Sequence, residues 1–357
     1  MILVFIAVVG ARFLLPLTIP RYPLPGIIAC LILDGIDQSI FQAFGYDPPG
    51  YQSYDKAMDV FYLAIAYLTT LRNWTSRPAY SVGRFLYFYR LVGVVAFELA
   101  QLRALLLVFP NTFEYFYIAY ETVRTRWNPL RLRFASWVVV AAAIWIFVKL
   151  PQEYWIHVAQ LDLTDVLTEN AWAPPLLVLL LAVLAAILWF VVRPRTPEPD
   201  WPLRMAADPL PQQMDEAAER AAWHAANTRV WSWATFEKVA LVSLLSVIFA
   251  QTVPGVRASN LELMIGISAV VVVNAAVSLA ASRRAMTLES AVVVFFTRLA
   301  LNIGLVMVAN WLIGPADLNL SGSIFFIAML SLITSLHDRW LPVRATRDAA
   351  AAARSEI

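Results

Sequence analysis

The chain consists largely of long apolar segments that are separated by short polar ones. A helix needs about 20 mainly apolar residues to cross a bilayer. Four windows are close to this length and carry no charged residue: 170–192, 263–282, 299–316 and 318–336. Seven more are shorter, lie at the start of the chain or contain charges: 1–17, 24–44, 59–71, 85–109, 113–123, 134–148 and 239–253. The pattern predicts an all-α polytopic integral membrane protein with about 11 transmembrane helices.

The segment 113–123 is the one span that has an alternative interpretation. Pro110 breaks the chain before it, and Asn111 followed by Glu114 is similar to the start of a capping box. The segment is therefore either a full span or a re-entrant half-helix, which would reduce the count to ten.

The loop charges predict the orientation. If eleven segments cross, five arginine-containing regions fall on one side, and the acidic loops around Asp47, Glu153 and Asp317 fall on the other. Lysine and arginine collect in cytoplasmic loops. We therefore expect the N-terminus outside and the C-terminus in the cytoplasm of a bacterial inner membrane, the plasma membrane.

Composition agrees with this class and excludes others. Of 357 residues, 60% are apolar and 15% are charged, and the mean hydropathy is +0.66. A soluble domain is roughly half apolar and about a quarter charged. An ordinary soluble enzyme, a disordered regulator and a nucleic-acid binder are excluded. Cys30 is the single cysteine, so the chain has neither an internal disulfide nor a cysteine metal cage.

The chain divides into four predicted regions. Residues 1–192 form an N-terminal bundle of about seven spans, and residues 193–235 a Pro-rich cytoplasmic linker with a surface helix. Residues 236–338 form a C-terminal bundle of about four spans, which we expect to pack or to oligomerise. Residues 339–357 are a cytoplasmic tail.

A second non-membrane helix is predicted on the outer side. Residues 151–169 carry apolar side chains on one helical face and polar ones, including His157, on another. This pattern is typical of a helix lying flat in the membrane interface. It is either a packed connector or a rim over an outward-facing cavity, with His157 as a proton carrier.

Ionisable residues inside spans are the candidate site. Each costs about 2.5–3.5 kcal/mol on insertion scales, so it marks a functional-site hypothesis. Arg12 lies in the first span. The predicted polar interior of spans two to five contains Asp34, Asp37, Arg90, Glu98, Arg103, Glu114 and Glu121. We expect Arg90 and Arg103 to neutralise some of the carboxylates. The alternative is that all these groups form purely structural ion pairs.

Four aspartates also have a motif spacing. Asp34, Asp37, Asp55 and Asp59 match the Asp positions of D-x-x-D-G-x-x-A-R-x8-G-x-x-x-D-x-x-x-D, which resembles the metal-binding signature of the CDP-alcohol phosphotransferases. The resemblance implies two divalent metals that bridge a pyrophosphate and activate a hydroxyl.

The rest of that signature is not matched. Gln38 replaces its first glycine, Phe41 and Gln42 replace its Ala-Arg pair, and Tyr51 replaces its second glycine. The charge rule also places Asp55 outside, whereas that family's site faces the cytoplasm.

Three functions follow as candidates. The first is a transporter or permease of a small solute with a charged pathway in the N-terminal half. The second is a membrane-embedded enzyme acting on lipid or lipid-linked substrates, with divalent metal on the four aspartates. The third is a non-catalytic assembly or scaffold subunit. No cofactor is evident outside the second candidate, and the expected partner is the lipid bilayer rather than nucleic acid.

Overall fold

The computed structural model describes residues 2–45, 51–159, 169–227, 231–252, 291–313 and 320–355, together with 166–167, 229, 271–273 and 276. Within these ranges the ordered elements are helices and no strand is present. The all-α expectation is therefore confirmed for this part of the chain. The predicted span 263–282 lies largely outside the described residues, and so do residues 314–319, where the predicted span 299–316 ends and the predicted span 318–336 begins.

Among the described residues, the first half of the chain forms nine α-helices. They are α1 (Ile2–Leu14), α2 (Pro23–Ala43), α3 (Tyr51–Asn73), α4 (Arg77–Ala100), α5 (Ala104–Val108), α6 (Thr112–Arg126), α7 (Phe134–Ile144), α8 (Leu150–Glu153) and α9 (Ala173–Ile187). Wider π-helical turns at Trp145–Lys149 and Tyr154–Val158 extend α7 and α8, and another at Leu188–Val192 extends α9.

The described residues of the second half add four helices: α10 (Ala217–Asn227), α11 (Trp233–Thr252), α12 (Ala291–Ile313) and α13 (Leu320–Ser355). Residues 339–355, the predicted tail, continue α13 without a break, with Pro342 inside the helix. The linker between α9 and α10 packs against the end of α6. There the backbone N of Arg204 donates to Thr125 O, and Trp201 Nε1 donates to Arg124 O.

Helix α3 lies at the centre of the bundle. It contacts α1, α2, α4, α11 and α13, and its segment from Phe61 to Leu68 is almost completely buried. Beyond its end, Trp74 is buried against the stacked ring of Tyr120, with ring centroids 4.0 Å apart. Because α3 packs on helices from both halves of the chain, the N-terminal and C-terminal helices share one core.

Within the described part of the chain, three helices are long and apolar enough to cross a membrane: Pro23–Ala43, Phe134–Ile156 and Ala173–Arg195. The most apolar window of the third has no buried residue, as expected for a helix that faces lipid. The structure therefore supports a helical membrane protein at this coarser level.

Two predicted spans have different boundaries in the structure. The segment 85–109 is not one helix, because Gln101 adopts the left-handed conformation (φ 54°) and ends α4 before α5 begins. Conversely, helical turns continue from Phe134 to Val158 through Pro151, so the predicted outer helix starts as an extension of α7. His157 lies in the last of these turns, and residues 160–165 lie outside the described part.

Gly26 allows α2 to approach the segment that follows α1. A Cβ atom at this position would lie 2.9 Å from Ile19 Cα and 3.0 Å from Ile19 N, and backbone atoms cannot yield as a side chain does. We expect Gly26→Ala to destabilise the protein by about 1–3 kcal/mol. Thermal unfolding in detergent, followed by a thiol-reactive dye that labels the buried Cys30 on exposure, measures this effect.

Gly35 on the same helix provides the matched control. No heavy atom lies within 4 Å of a Cβ built there. Gly35→Ala should be neutral or stabilise the helix by up to about 1 kcal/mol. Equal melting temperatures for the two variants would show that the approach at Gly26 is not tight.

Candidate functional site

The four aspartates of the motif converge on one guanidinium group. Arg12 NH1 donates to Asp37 and Asp55, and Arg12 NH2 donates to Asp34 and Asp59. The cluster therefore joins α1, α2 and α3, and we call these five residues the Arg12–aspartate cluster.

Helical periodicity explains half of this arrangement. Asp34 and Asp37 are three residues apart on α2, and Asp55 and Asp59 are four apart on α3, so each pair lies on one helical face. Contacts among α1, α2 and α3 bring both faces to the end of α1, where the arginine side chain reaches them.

The cluster has a buried side and an open side. The side chains of Arg12 and Asp37 are 3% and 0% exposed. Those of Asp34, Asp55 and Asp59 are 26%, 29% and 37% exposed. A small ion can therefore reach three carboxylates without moving the buried pair.

The charges within the cluster do not balance. Four carboxylates and one guanidinium leave a formal excess of three negative charges when all five groups are ionised. Oxygen atoms of Asp34, Asp55 and Asp59 lie within 4.8 Å of one another. At that separation each carboxylate pair repels by about 3–4 kcal/mol in a medium of effective dielectric constant near 20. An added cation or protons would relieve this repulsion.

The three carboxylates also suit a metal ion chemically. Carboxylate oxygens are the preferred ligands of hard divalent cations such as Ca²⁺ and Mg²⁺. Asp34, Asp55 and Asp59 could together supply one oxygen each, with Arg12 and Asp37 behind them.

The other predicted pathway residues lie in separate interactions. Arg90 donates to Phe109 O, and Glu98 pairs with Lys56 at 3.3 Å. Arg103 is exposed immediately before α5. The counter-ion of the four aspartates is therefore Arg12. We expected Arg90 and Arg103 to neutralise some of the carboxylates, and of the two Arg90 is close enough to act on Glu114.

The two glutamates of α6 are buried in networks of their own. Glu114 accepts hydrogen bonds from Tyr62 and from Asn111 Nδ2. Asn111 thus binds the Glu114 side chain rather than capping the helix backbone.

Glu121, the second of these glutamates, accepts from Trp74 Nε1 at 2.9 Å and from Arg124 at 2.6 Å. Like Glu114, it has partners within the protein itself.

A second charged cluster, which we did not predict, joins the C-terminal helices. The carboxylate of Asp338 on α13 accepts from Lys238 on α11 at 2.8 Å and from Arg298 on α12 at 2.5 Å. Its carbonyl oxygen accepts from His224 Nε2 of α10 at 2.8 Å. The sequence offered only one signal, which was a charge at the predicted end of each of these spans.

Electrostatics favour the ionised form of Asp338 and the neutral form of His224. Burial alone would raise the pKa of Asp338, but Lys238 and Arg298 outweigh it and hold that pKa well below its usual range. Burial lowers the pKa of His224, and the nearby Asp338 opposes this effect only in part. The cluster is therefore a stable ion-pair network near neutral pH.

Comparisons with protein-family models, with curated proteins and with solved structures each returned no match. The described residues have the features of a helical membrane protein in which the buried Arg12 is surrounded by four aspartates.

Proposed function

We propose that this protein is a multi-pass transporter of the bacterial inner membrane that moves or is driven by a cation bound at the Arg12–aspartate cluster. Eleven spans, with the N-terminus outside and the C-terminus in the cytoplasm, are part of the proposal. Its support is that Asp37, Glu114 and Glu121, which lie in predicted spans, are buried and have partners inside the helix bundle, as charged groups in membranes require.

The observation that carries the proposal is the excess of carboxylates over guanidinium groups in the Arg12–aspartate cluster, as the described residues form it. A structural ion pair for Arg12 needs one carboxylate, and the remaining three raise the energy of the folded protein in a low-dielectric environment. Such a cost is typical of residues that serve an ion or proton pathway. The partly exposed carboxylates Asp34, Asp55 and Asp59 are on the side that an ion can reach.

The test uses protein reconstituted into liposomes on a solid-supported membrane. Jumps in Na⁺, K⁺, Mg²⁺ or Mn²⁺ concentration and imposed pH steps should reveal an ion that produces a transient current. In the double variant Asp34→Asn/Asp59→Asn we expect this current to fall to that of protein-free liposomes. Asp215→Asn, the same chemical change at an exposed linker position, should leave the current unchanged.

Two outcomes would contradict the proposal. One is that none of these ions produces a current above that of protein-free liposomes. The other is that the current persists in the double variant while its thermal stability shows that it is folded.

A metal-dependent enzyme on lipid-linked substrates is the second candidate. The observation that favours it is that Asp34, Asp37, Asp55 and Asp59 all converge on the Arg12 guanidinium, and that three of them, Asp34, Asp55 and Asp59, have oxygens within 4.8 Å of one another. It predicts Mg²⁺- or Mn²⁺-dependent release of CMP from CDP-diacylglycerol in vesicles when an acceptor alcohol is supplied, whose hydroxyl takes the phosphatidyl group. Such release without ion currents would favour the enzyme, and the absence of both would favour the scaffold subunit.

A further inference from the structure

A groove of about 520 Å³ lies between α4 and α11, away from the Arg12–aspartate cluster. Its α4 wall consists of positions spaced three and four residues apart, and its α11 wall repeats that spacing, so each helix contributes one face. On α4 the lining extends from Ser81 to Val92, and on α11 it extends from Trp233 to Ala240. This volume is within the range of about 300–1,000 Å³ that ligand sites have.

The polar groups are all at one end of the groove, apart from the Tyr89 hydroxyl, which donates to Val108 O. Arg84 pairs with Glu237 at 3.2 Å, and its guanidinium carbon lies 5.8 Å from the centroid of the Trp233 ring. Ser81 is one turn closer to the start of α4. Phe88, Val92 and Ala240 form the opposite, apolar end.

The polar end carries an excess of positive charge. Glu237 is 10% exposed and also accepts from the hydroxyl of Tyr67, whereas Arg84 is 31% exposed. Arg77, exposed at the start of α4, is one turn before Ser81 on the same face. Two arginines lie at this end, and the one glutamate is buried and already has two partners, Arg84 and Tyr67. The end therefore favours an anionic group.

The length of the groove and its exposed walls favour a lipid as the ligand. From Ser81 to Val92 the groove follows α4 for about 16 Å, at 1.5 Å per residue, which is close to half of the roughly 30 Å hydrocarbon core. Phe85, Trp233 and Phe236 are more than half exposed, so the groove opens sideways. A tryptophan beside an arginine at a helix start is typical of the membrane interface.

We propose that this groove binds one anionic phospholipid from the leaflet in which α4 and α11 begin, which the charge rule makes the cytoplasmic one. Arg84 and Arg77 bind the phosphate and the anionic headgroup, and the Ser81 hydroxyl, which donates to Arg77 O, can accept from the headgroup but not donate to it. One acyl chain lies along Phe85, Phe88, Val92 and Ala240. The cytoplasmic leaflet supplies anionic lipids, and basic pockets between spans bind their headgroups. The proposal is independent of the cation site.

Native mass spectrometry of the detergent-purified protein tests the site with two probes of equal chain length, dioleoylphosphatidylglycerol and dioleoylphosphatidylcholine. The wild-type protein should retain one phosphatidylglycerol with an affinity about tenfold above that for phosphatidylcholine. Loss of one charge-assisted hydrogen bond reduces affinity by roughly tenfold or more. Arg84→Gln should therefore lower phosphatidylglycerol binding to the level of phosphatidylcholine.

A second variant does not change the charges. Ala240→Trp fills the apolar end of the groove, and it should reduce the binding of both lipids by a similar factor. Arg133→Gln is the matched control, because Arg133 is exposed before α7 and outside the groove. Unaltered phosphatidylglycerol binding in both groove variants would overturn the proposal. So would equal binding of the two lipids by wild type, or a dimer that Ala240→Trp dissociates.

Discussion

Arg12→Gln should be among the most destabilising single substitutions in this protein, with a loss of about 3–5 kcal/mol in the free energy of unfolding. The substitution leaves four aspartates facing one another without their guanidinium partner. Removing one partner of a buried ion pair costs about this much, because the remaining charge stays desolvated. The apparent melting temperature in detergent, read from dye labelling of Cys30, should fall by at least about 5 °C.

Two controls isolate the electrostatic origin of this loss. Arg133→Gln makes the same change at an exposed position and should shift the melting temperature by less than about 1 °C. Adding Asp37→Asn to Arg12→Gln removes the fully buried carboxylate and should restore part of the stability. A melting temperature of Arg12→Gln that equals that of wild type would contradict the role of Arg12 as the cation of the cluster.

Asp338→Asn should cause a loss of similar size, about 3–5 kcal/mol, through uncompensated positive charge. Lys238 and Arg298 share this carboxylate, so an amide leaves two buried cations close to each other. Because the pKa of Asp338 is held well below its usual range, its contribution is complete above the ordinary carboxyl pKa of about 4. This stabilising contribution is lost only as the pH falls through the pKa that Asp338 has in the folded protein, which is the lower of the two. The difference from wild type should thus be constant between about pH 6 and 8.

Asp348→Asn is the matched control on the same helix. Asp348 is 35% exposed and pairs with the single cation Arg344, which also donates to Trp74 O, so its loss should cost about 1–3 kcal/mol, less than the loss of Asp338. The double variant Asp338→Asn/Lys238→Met lacks one of the two unpaired cations. It should recover part of the free energy of unfolding that Asp338→Asn loses. Equal costs for Asp338→Asn and Asp348→Asn would show that the network at Asp338 is not buried as described.

The apolar pattern predicted several helices closely and one incorrectly. The segment 24–44 corresponds to α2 at Pro23–Ala43 within one residue at each end. Hydropathy alone did not reveal the break at Gln101, because Leu102 and the residues of α5 are as apolar as those of α4. The break depends on the backbone conformation of a single residue, to which an average over a window is insensitive.

From the sequence we named the four aspartates of the Arg12–aspartate cluster, but we did not predict how they are arranged. Spacing within α2 and within α3 placed each aspartate pair on one helical face. Nothing in the sequence stated that these two faces meet, or that Arg12 from a third helix lies between them. In span order Arg12 and Arg90 are equally close to the two aspartate pairs, so chain order could not choose between them, and ion pairing follows distance in space.

By itself, the sequence determined the class of protein, its helical nature and the places where charge is buried in apolar surroundings. These properties depend on local composition and period, because a segment enters a membrane or forms a helix largely through its own residues. The tertiary structure alone decided that Arg12 joins four aspartates and that Asp338 joins Lys238 and Arg298. Such contacts arise from how helices pack, and the same helices in another arrangement would keep every local pattern while pairing their charges differently.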